Sequence, residues 1–443
     1  MTAEPSGVVI VGGGIAGLAA ALSARAEGAS VLLLDASVGA SAMAGGAWDV
    51  ASDRVHDPYT EPPRALDRAL DVLARLVPPH PLAHLPRAET LAAIRDGHAA
   101  VIEALGTHRA LGAHADAEIV VSEVGLARRA ALAQHAVLDL APLAGARIAV
   151  AWMRGLRSFD GPFVAASLTE QAVRARDTRR FVAIEVELFR RSGDAVLLGH
   201  ELASLLDEHD ARERAVSSLE RAVGGTAFDA ILLPPILGIR EPAVRARLEA
   251  ALGRPVGETV ETLAGSAQSL RTAFAIAAAL GPRGIAHRTA RVARITAGRV
   301  ILEDGEELGA RTIVLATGKL AAGGIALEHG EPREPLAGLP IHAHGRPLPS
   351  RSSARGRDPM MLFGDDPFAP GAGFTMGVGW DSSLRPLDAH GDRVSAELFA
   401  CGDVLDGAGP HVGTGLGTAV ATGWIAGRAA ARCARTDAPL SRR

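Results

Sequence analysis

The chain has 443 residues, 48% of them hydrophobic, 22% charged and only 3% aromatic, and a formal charge of −4. This is a globular composition with enough chain for two interleaved domains, and its charge balance offers no general attraction to nucleic acid or an anionic membrane. Two cysteines, Cys401 and Cys433, exclude a disulfide framework and fall short of the four thiolates of an iron–sulfur cluster.

The first residues hold no charged and apolar leader, and no run approaches 18 uninterrupted apolar residues. The expectation is therefore a cytoplasmic chain with no secretory signal and no membrane span. Among 46 basic residues the one lysine is Lys319, a bias that matches the richness in Ala, Gly and Pro and reads as a coding preference.

In chain order, Val8–Val11 reads as a buried parallel strand. Gly12-Gly13-Gly14-Ile15-Ala16-Gly17 follows at once and fits G-x-G-x-x-G, then a helix runs to about Ala26 and Gly28 stops it. A second apolar strand, Val31–Leu34, ends on Asp35, 18 residues after Gly17. Gly12 permits the tight turn, Gly14 admits a pyrophosphate to the backbone, and Gly17 lets helix and strand pack closely. The free N–H groups at the helix start, from Gly14 through Ile15 and Ala16, favour phosphate, and Asp35 suits a ribose hydroxyl. The small-residue loop that follows carries Ser41, Gly45 and Gly46, which let an extended cofactor run close to the chain.

Residues 56–135 are punctuated by seven prolines from Pro58 to Pro86, with helices expected at Arg64–Leu76, Leu91–Leu105 and Ala127–Leu138. His80, His84, His98, His108, His114 and His135 lack ligand-like spacing, so no metal site is expected. Arg147–Val150, Phe181–Leu188 and Asp229–Ile236 read as strands, with a helix over Leu202–Leu219, a short strand at Val260–Leu263 and a helix over Ser269–Leu280. Arg154, Arg157 and Arg271 are candidates to clamp a small anionic substrate, because a guanidinium fork fits carboxylate or phosphate.

A β-meander follows: Arg291–Ile295, a turn at Ala297-Gly298, Val300–Leu302, then Thr312–Ala316 closing on Ala316-Thr317-Gly318. Lys319 comes next and is a candidate catalytic residue. The strand Glu397–Cys401 ends in Gly402-Asp403, and Gly413-Thr414-Gly415 opens a small-residue helix through Gly427. The Asp403 carboxylate can accept from ribityl or phosphate-side hydroxyls, and the helix start can face a flavin carbonyl that gains charge on reduction. His411 has the pKa class for neutral-pH proton transfer and is the candidate base.

GGGIAG, TIVLATG and LFACGD in this order resemble the FAD-dependent glutathione-reductase-like superfamily over the whole chain. The fold class this implies is α/β: a Rossmann-like FAD-binding domain, a parallel sheet plus β-meander, from residues 1–55 and 285–443. Residues 56–284 would form an inserted α+β substrate or cap region that contributes in part to the FAD domain. No second G-x-G-x-x-G unit supports NAD(P)H as direct reductant, and no C-x-x-C supports disulfide reduction.

The loop SAMAGGAWDV, the stretch Leu315–Ile341 and the stretch Gly377–Asp388 further resemble the B-subunit family of anaerobic glycerol-3-phosphate dehydrogenase. That resemblance implies a flavoprotein subunit paired with a second flavin subunit and an iron–sulfur subunit docked at the inner membrane. It also implies oxidation of sn-glycerol 3-phosphate to dihydroxyacetone phosphate, with electrons passed to quinone. The segment from Pro410 to Gly415 departs from the Cys/Gly-richer stretch expected there, and Asp35 favours FAD over the FMN often assigned to such subunits. Two other readings stay open on the sequence: a stand-alone FAD oxidoreductase of another small hydroxy acid or amine, and a non-catalytic flavin-binding subunit.

Overall fold

The computed structural model describes residues 6–36, 39–43, 45–49, 70–71, 73–75, 80–110, 118–188, 196–223, 227–261, 263–328, 331–348, 372–409 and 415–436. The chain opens with β1 (Ser6–Val11), α1 (Ile15–Ala26) and β2 (Val31–Asp35), with Gly28 at φ 84° ending the helix. Short antiparallel pieces follow: β3 (Ala47–Trp48), β4 (His108–Ala110), β5 (Glu118–Val121), β6 (Ala127–Ala130) and β7 (Leu132–Gln134). The helix α2 (Arg87–Leu105) lies between β3 and β4 and ends at Gly106 in the left-handed region.

The strands β8 (Arg147–Trp152), β9 (Arg180–Glu185), β10 (Ala230–Leu233) and β11 (Val256–Glu258) form a four-stranded sheet in the order β11-β10-β8-β9. Every pair in it is parallel. Its connections carry α3 (Gly161–Arg174), α4 (Gly199–Leu206), α5 (His209–Val223) and α6 (Val244–Leu252). The inserted region therefore contains an α/β layer of its own, wound about the switch between β8 and β10.

After α7 (Ala267–Leu280) come β12 (Ala286–Thr289), β13 (Val292–Thr296), β14 (Arg299–Leu302) and β15 (Glu307–Leu315). The chain then forms two hairpin partners, β16 (Ala326–Glu328) and β17 (Glu331–Arg333), then β18 (Ile341–Ala343), β19 (Arg346–Pro347), β20 (Gly377–Val378), β21 (Leu398–Ala400) and α8 (Gly415–Thr436). The main sheet has seven strands in the order β12-β2-β1-β15-β14-β13, with β21 also on β15. The strand β15 has two jobs. Its first half pairs antiparallel with β14 in the meander, and its buried second half runs parallel to β1 and β21.

Among the described residues the apolar side chains form two large cores and a small third cluster around Val120 and Val137. One large core joins the main sheet to α1, α2, α7 and α8, and the other joins the four-stranded sheet to α3, α5 and α6. The glycines of α8 let it lie directly on α1: a Cβ at Gly423 would overlap the Ala16 carbonyl, and one at Gly427 the Ala20 carbonyl.

Three expectations are corrected. Ala127–Leu138 is not a helix, because β6 pairs with β5 and β7 is the centre strand between β3 and β4. Alanine and arginine favour helix intrinsically, but tertiary pairing decides here. Leu202–Leu219 is two helices, α4 and α5, broken at Asp207. The Asp207 carboxylate accepts from the N–H groups of Ile239, Arg240 and Glu241, and the chain must turn to present it. The strand expected at Val260–Leu263 lies earlier, at β11, and Val260 only bridges Ser122. Of the expected helix Arg64–Leu76, residues 70, 71 and 73–75 are described and helical, with Leu70 and Leu73 fully buried.

Candidate cofactor site

Three strands end side by side. Register pairs Val11 with Leu315 and Leu315 with Ala400, so Gly12, Ala316 and Cys401 leave the main sheet together. The strand ends are also laced: Gly12 N–H donates to Leu34 O at 2.8 Å, Ala316 N–H to Val11 O at 2.8 Å and Cys401 N–H to Leu315 O at 2.8 Å.

At the first strand end, Gly12 has φ 123°, and a Cβ there would fall on the Ala316 carbonyl. A Cβ at Gly17 would overlap the Gly12 carbonyl, so this glycine sets the helix-to-turn approach. The N-terminus of α1 follows Gly14, which brings no side chain to cap it. The Ile15 N–H instead reaches the Ser41 hydroxyl at 3.0 Å, which places Ser41 at the helix start. Gln268 Oε1 accepts from Gly46 N–H at 2.9 Å and so pins the Gly45-Gly46 pair.

Asp35 closes β2 with its carboxylate mostly buried against the turn, and only glycine at position 13 leaves room for it. His287 Nε2 lies 3.1 Å from Asp35 Oδ1, a neighbour that sequence spacing does not reveal. It follows from the pairing of β12 with β2, which sets Thr289 opposite Asp35.

At the second strand end, Thr317 Oγ1 is buried with no hydrogen-bond partner among the described residues, and Gly318 has φ 69°. At the third, Gly402 has φ 76° and its N–H donates to Thr422 Oγ1 of α8 at 2.9 Å. Asp403 Oδ1 and Asp406 Oδ1 are likewise buried and unpartnered. Burial pushes both carboxyls above the ordinary aspartate value, against the pull of Lys319 on each. Burial also lowers the Lys319 ammonium to about 8, opposed by Asp403 and Asp406. Cys401 is buried and its thiol is pushed up to about 12, which makes it inert.

Buried polar atoms without partners are rare in folded proteins and ask for a ligand. Here three of them sit beside one strand edge with a glycine cradle and a glycine-led helix start. This combination fits a dinucleotide with phosphates and hydroxyls.

The FAD binding domain family model matches residues 7–416. The chain is similar to the B subunit of anaerobic glycerol-3-phosphate dehydrogenase of Pectobacterium atrosepticum, at 28% identity over 93% of this chain and 95% of that one. It is also similar to the probable B subunit of anaerobic glycerol-3-phosphate dehydrogenase of Halobacterium salinarum, at 31% identity over 96% of this chain and 98% of that one. The chain belongs to the B-subunit family of anaerobic glycerol-3-phosphate dehydrogenase, within the FAD-binding-domain proteins. Among solved structures it aligns with 3-ketosteroid Δ1-dehydrogenase from Sterolibacterium denitrificans at 13% identity, over 98% of this chain and 100% of that chain, with a TM-score of 0.38.

As a member of this family the chain is an FAD-dependent dehydrogenase, and its family name is that of one component of a larger enzyme. Gly12, Gly14, Ile15, Ala16, Gly17, Asp35, Ser41, Ala316, Thr317, Gly318, Gly402 and Asp403 lie at or beside the three strand ends, whereas Gly46, next to Gly45, is held by Gln268 and Gln134. Gly415 begins α8. His411, Gly413 and Thr414 lie outside the described residues.

The three arginines are not brought together. Arg154 is exposed and holds Glu185 through two bonds of 3.0 and 3.1 Å. Arg157 is exposed on the loop after β8. Arg271 is buried and fully engaged: it grips Glu258 at 2.7 and 2.8 Å, Gln134 Oε1 at 3.1 Å and Gly238 O at 2.6 Å. Its fork does hold a carboxylate, but an internal one. Among the described residues no group of three or more His, Cys, Asp or Glu could hold a metal ion, and no helix is long and apolar enough to cross a membrane.

Proposed function

We propose that this chain is the flavoprotein subunit of a respiratory-type glycerol-3-phosphate dehydrogenase, which oxidises sn-glycerol 3-phosphate to dihydroxyacetone phosphate. The observation that carries the reading is the end-to-end match, which spans 93–96% of this chain and 95–98% of its B-subunit relatives. Bound FAD supplies the two-electron acceptor that oxidation of a secondary alcohol needs. The chain's residues hold it: the Gly12–Gly17 turn and Ser41 at the pyrophosphate, Asp35 at a ribose, and Asp403 at hydroxyls. His411 takes the proton of the substrate hydroxyl in this reading.

Electrons then leave to an iron–sulfur partner and on to quinone, alongside a second flavin subunit. Two cysteines, one of them buried in the core, cannot supply the four thiolates of a cluster, so clusters belong to the partners. Membrane association would also come through those partners. Residues 1–55 and 285–443 form the flavin-binding unit in this scheme, with 56–284 inserted.

A second reading is favoured by the arginines. Because Arg154 and Arg271 are committed to Glu185 and Glu258, the flavin here would relay electrons from a substrate oxidised elsewhere in the complex. Anaerobic titration with glycerol 3-phosphate separates the two. Bleaching of the flavin in the isolated chain supports direct oxidation, and bleaching only with the partner subunits supports the relay. No bleaching in either state overturns both.

A further inference from the structure

Lys319 directly follows Ala316-Thr317-Gly318 and is only 9% exposed. Its ammonium donates to Ala408 O at 2.6 Å and to Phe374 O at 3.0 Å. These carbonyls belong to separate segments. Ala408 closes the loop that carries Asp403 and Asp406, and Phe374 sits in the single helical turn Ala372–Thr375. Gly407 N–H donates to Thr375 O at 2.8 Å and fastens the same two segments.

An ammonium has three N–H groups. Two are spent on these carbonyls, so the lysine is a tie rather than a free proton carrier. The charges that face it are Asp403 and Asp406. Each has one buried oxygen without a partner, and Asp406 is further faced by His342 and His344 of the β18–β19 hairpin and takes the Gly345 N–H at 2.6 Å. A buried carboxylate with no counter-charge takes up a proton and ceases to be a pure acceptor.

We propose that Lys319 is a positioning residue of the flavin site, tying the Asp403 loop to the 372–375 turn and keeping Asp403 ionised to accept from the cofactor's hydroxyls. This rests on the assignment of FAD to the three strand ends. It gives Lys319 a role in cofactor retention and none in proton transfer to substrate.

Two signs distinguish this from a lysine that only supports the fold. The ammonium, lowered to about 8, loses its charge as pH rises past that value, so the grip on FAD weakens there. Stability of the apo chain moves the other way. Between about 8 and the ordinary 10.5 the unfolded chain holds the lysine proton more tightly than the folded one, so this group's contribution rises with pH.

The test is titration of the apo protein with FAD, followed by flavin fluorescence from pH 6.5 to 9.5, for the wild type, K319Q and K319R. The wild type is expected to lose about tenfold in affinity across the alkaline limb. K319Q should bind at least about tenfold more weakly at pH 7 with no alkaline limb, since a hydrogen bond to a charged group is lost. K319R should bind close to the wild type at pH 7 and also lack the limb, because arginine stays charged. Wild-type affinity that is flat to pH 9.5, an alkaline limb that persists in K319R, or K319Q that binds like the wild type would each overturn the proposal. If K319Q does not fold, the wild-type and K319R profiles decide the matter. A wild type that takes no FAD at any pH would instead overturn the FAD assignment.

Discussion

The wholly parallel four-stranded sheet and the parallel part of the seven-stranded sheet have carboxyl edges of opposite character. Ligands of open parallel sheets settle at the carboxyl edge, where the strand order reverses. At the seven-stranded sheet that edge carries Thr317, Asp403 and Asp406, each with a buried oxygen that has no hydrogen-bond partner among the described residues. At the four-stranded sheet the edge is closed by the protein itself. Glu258, at the end of β11, is held by Arg271, by Gln268 Nε2 and by the Leu237 N–H. Gln268 uses both ends of its amide, on Gly46 N–H, Glu261 N–H, Thr259 O and Glu258. Among these residues only Thr259 Oγ1 is left unpartnered. Topology proposes a ligand edge, and polar satisfaction decides whether a ligand is needed there.

The largest expected effect comes from opening the closed edge. Glu258→Leu leaves the Arg271 guanidinium buried without its counter-charge and should cost about 3–5 kcal/mol of stability. Thermal melts of the apo chain check this, and a loss under about 1 kcal/mol would show that the edge is not held by this pair.

Removing a group from the open edge should do the reverse. Asp403→Ala should weaken FAD binding by about tenfold or more, because bonds to an ionised acceptor are lost. It should leave the apo chain as stable as before or more so, since burial holds this carboxyl above its ordinary 3.8 and the folded chain suffers from its ionisation. The sign with pH follows. A raised carboxyl makes apo stability fall as pH climbs from 3.8, and Asp403→Ala should flatten part of that fall. Paired melts and FAD titrations would contradict this if affinity were unchanged or the apo chain collapsed.

The stations of the open edge are legible in the sequence because each is local. Strand, glycine turn and helix lie within Ser6–Asp35, and the A-T-G and G-D words each close a strand. The closed edge is illegible because some of its partners are far apart in sequence, Gly46 and Gln268 by 222 residues and Arg271 and Gln134 by 137, and because the Glu258–Arg271 pair joins a strand to a helix that meet only through the fold. Arg271 reads as an anion clamp for the right chemical reason, a fork that fits a carboxylate, but nothing local shows that Glu258 already supplies it. Ala127–Leu138 reads as helix for the same cause, since its pairing partners β3, β4 and β5 are set by tertiary contact. Lys319 stands out by rarity, whereas its burial and its two carbonyl partners need the fold.

A smaller effect sharpens the comparison from a third place, remote from either edge. Glu27, just past α1, meets Arg428, Arg432 and Arg435 of α8 at 3.1 Å each. The Arg432 hydrogen bond first, with Arg435 and Arg428, holds its carboxyl at about 2. Its stabilisation is present above the ordinary 4.5 and is lost as pH falls toward 2. This cluster is near solvent, so Glu27→Gln should cost about 1 kcal/mol or less at neutral pH and leave FAD affinity unchanged. Denaturant midpoints at pH 7 and pH 3 check both statements, with the difference between variant and parent shrinking at pH 3.

The contrast between the two edges is tested most directly by amide hydrogen exchange of the apo chain with and without saturating FAD. Protection should appear over residues 12–17, 316–319 and 402–409, and residues 153–160 and 234–238 at the inserted sheet's edge should exchange alike in both states. Protection confined to the inserted edge, with none at the three strand ends, would contradict the assignment of the cofactor to the open edge.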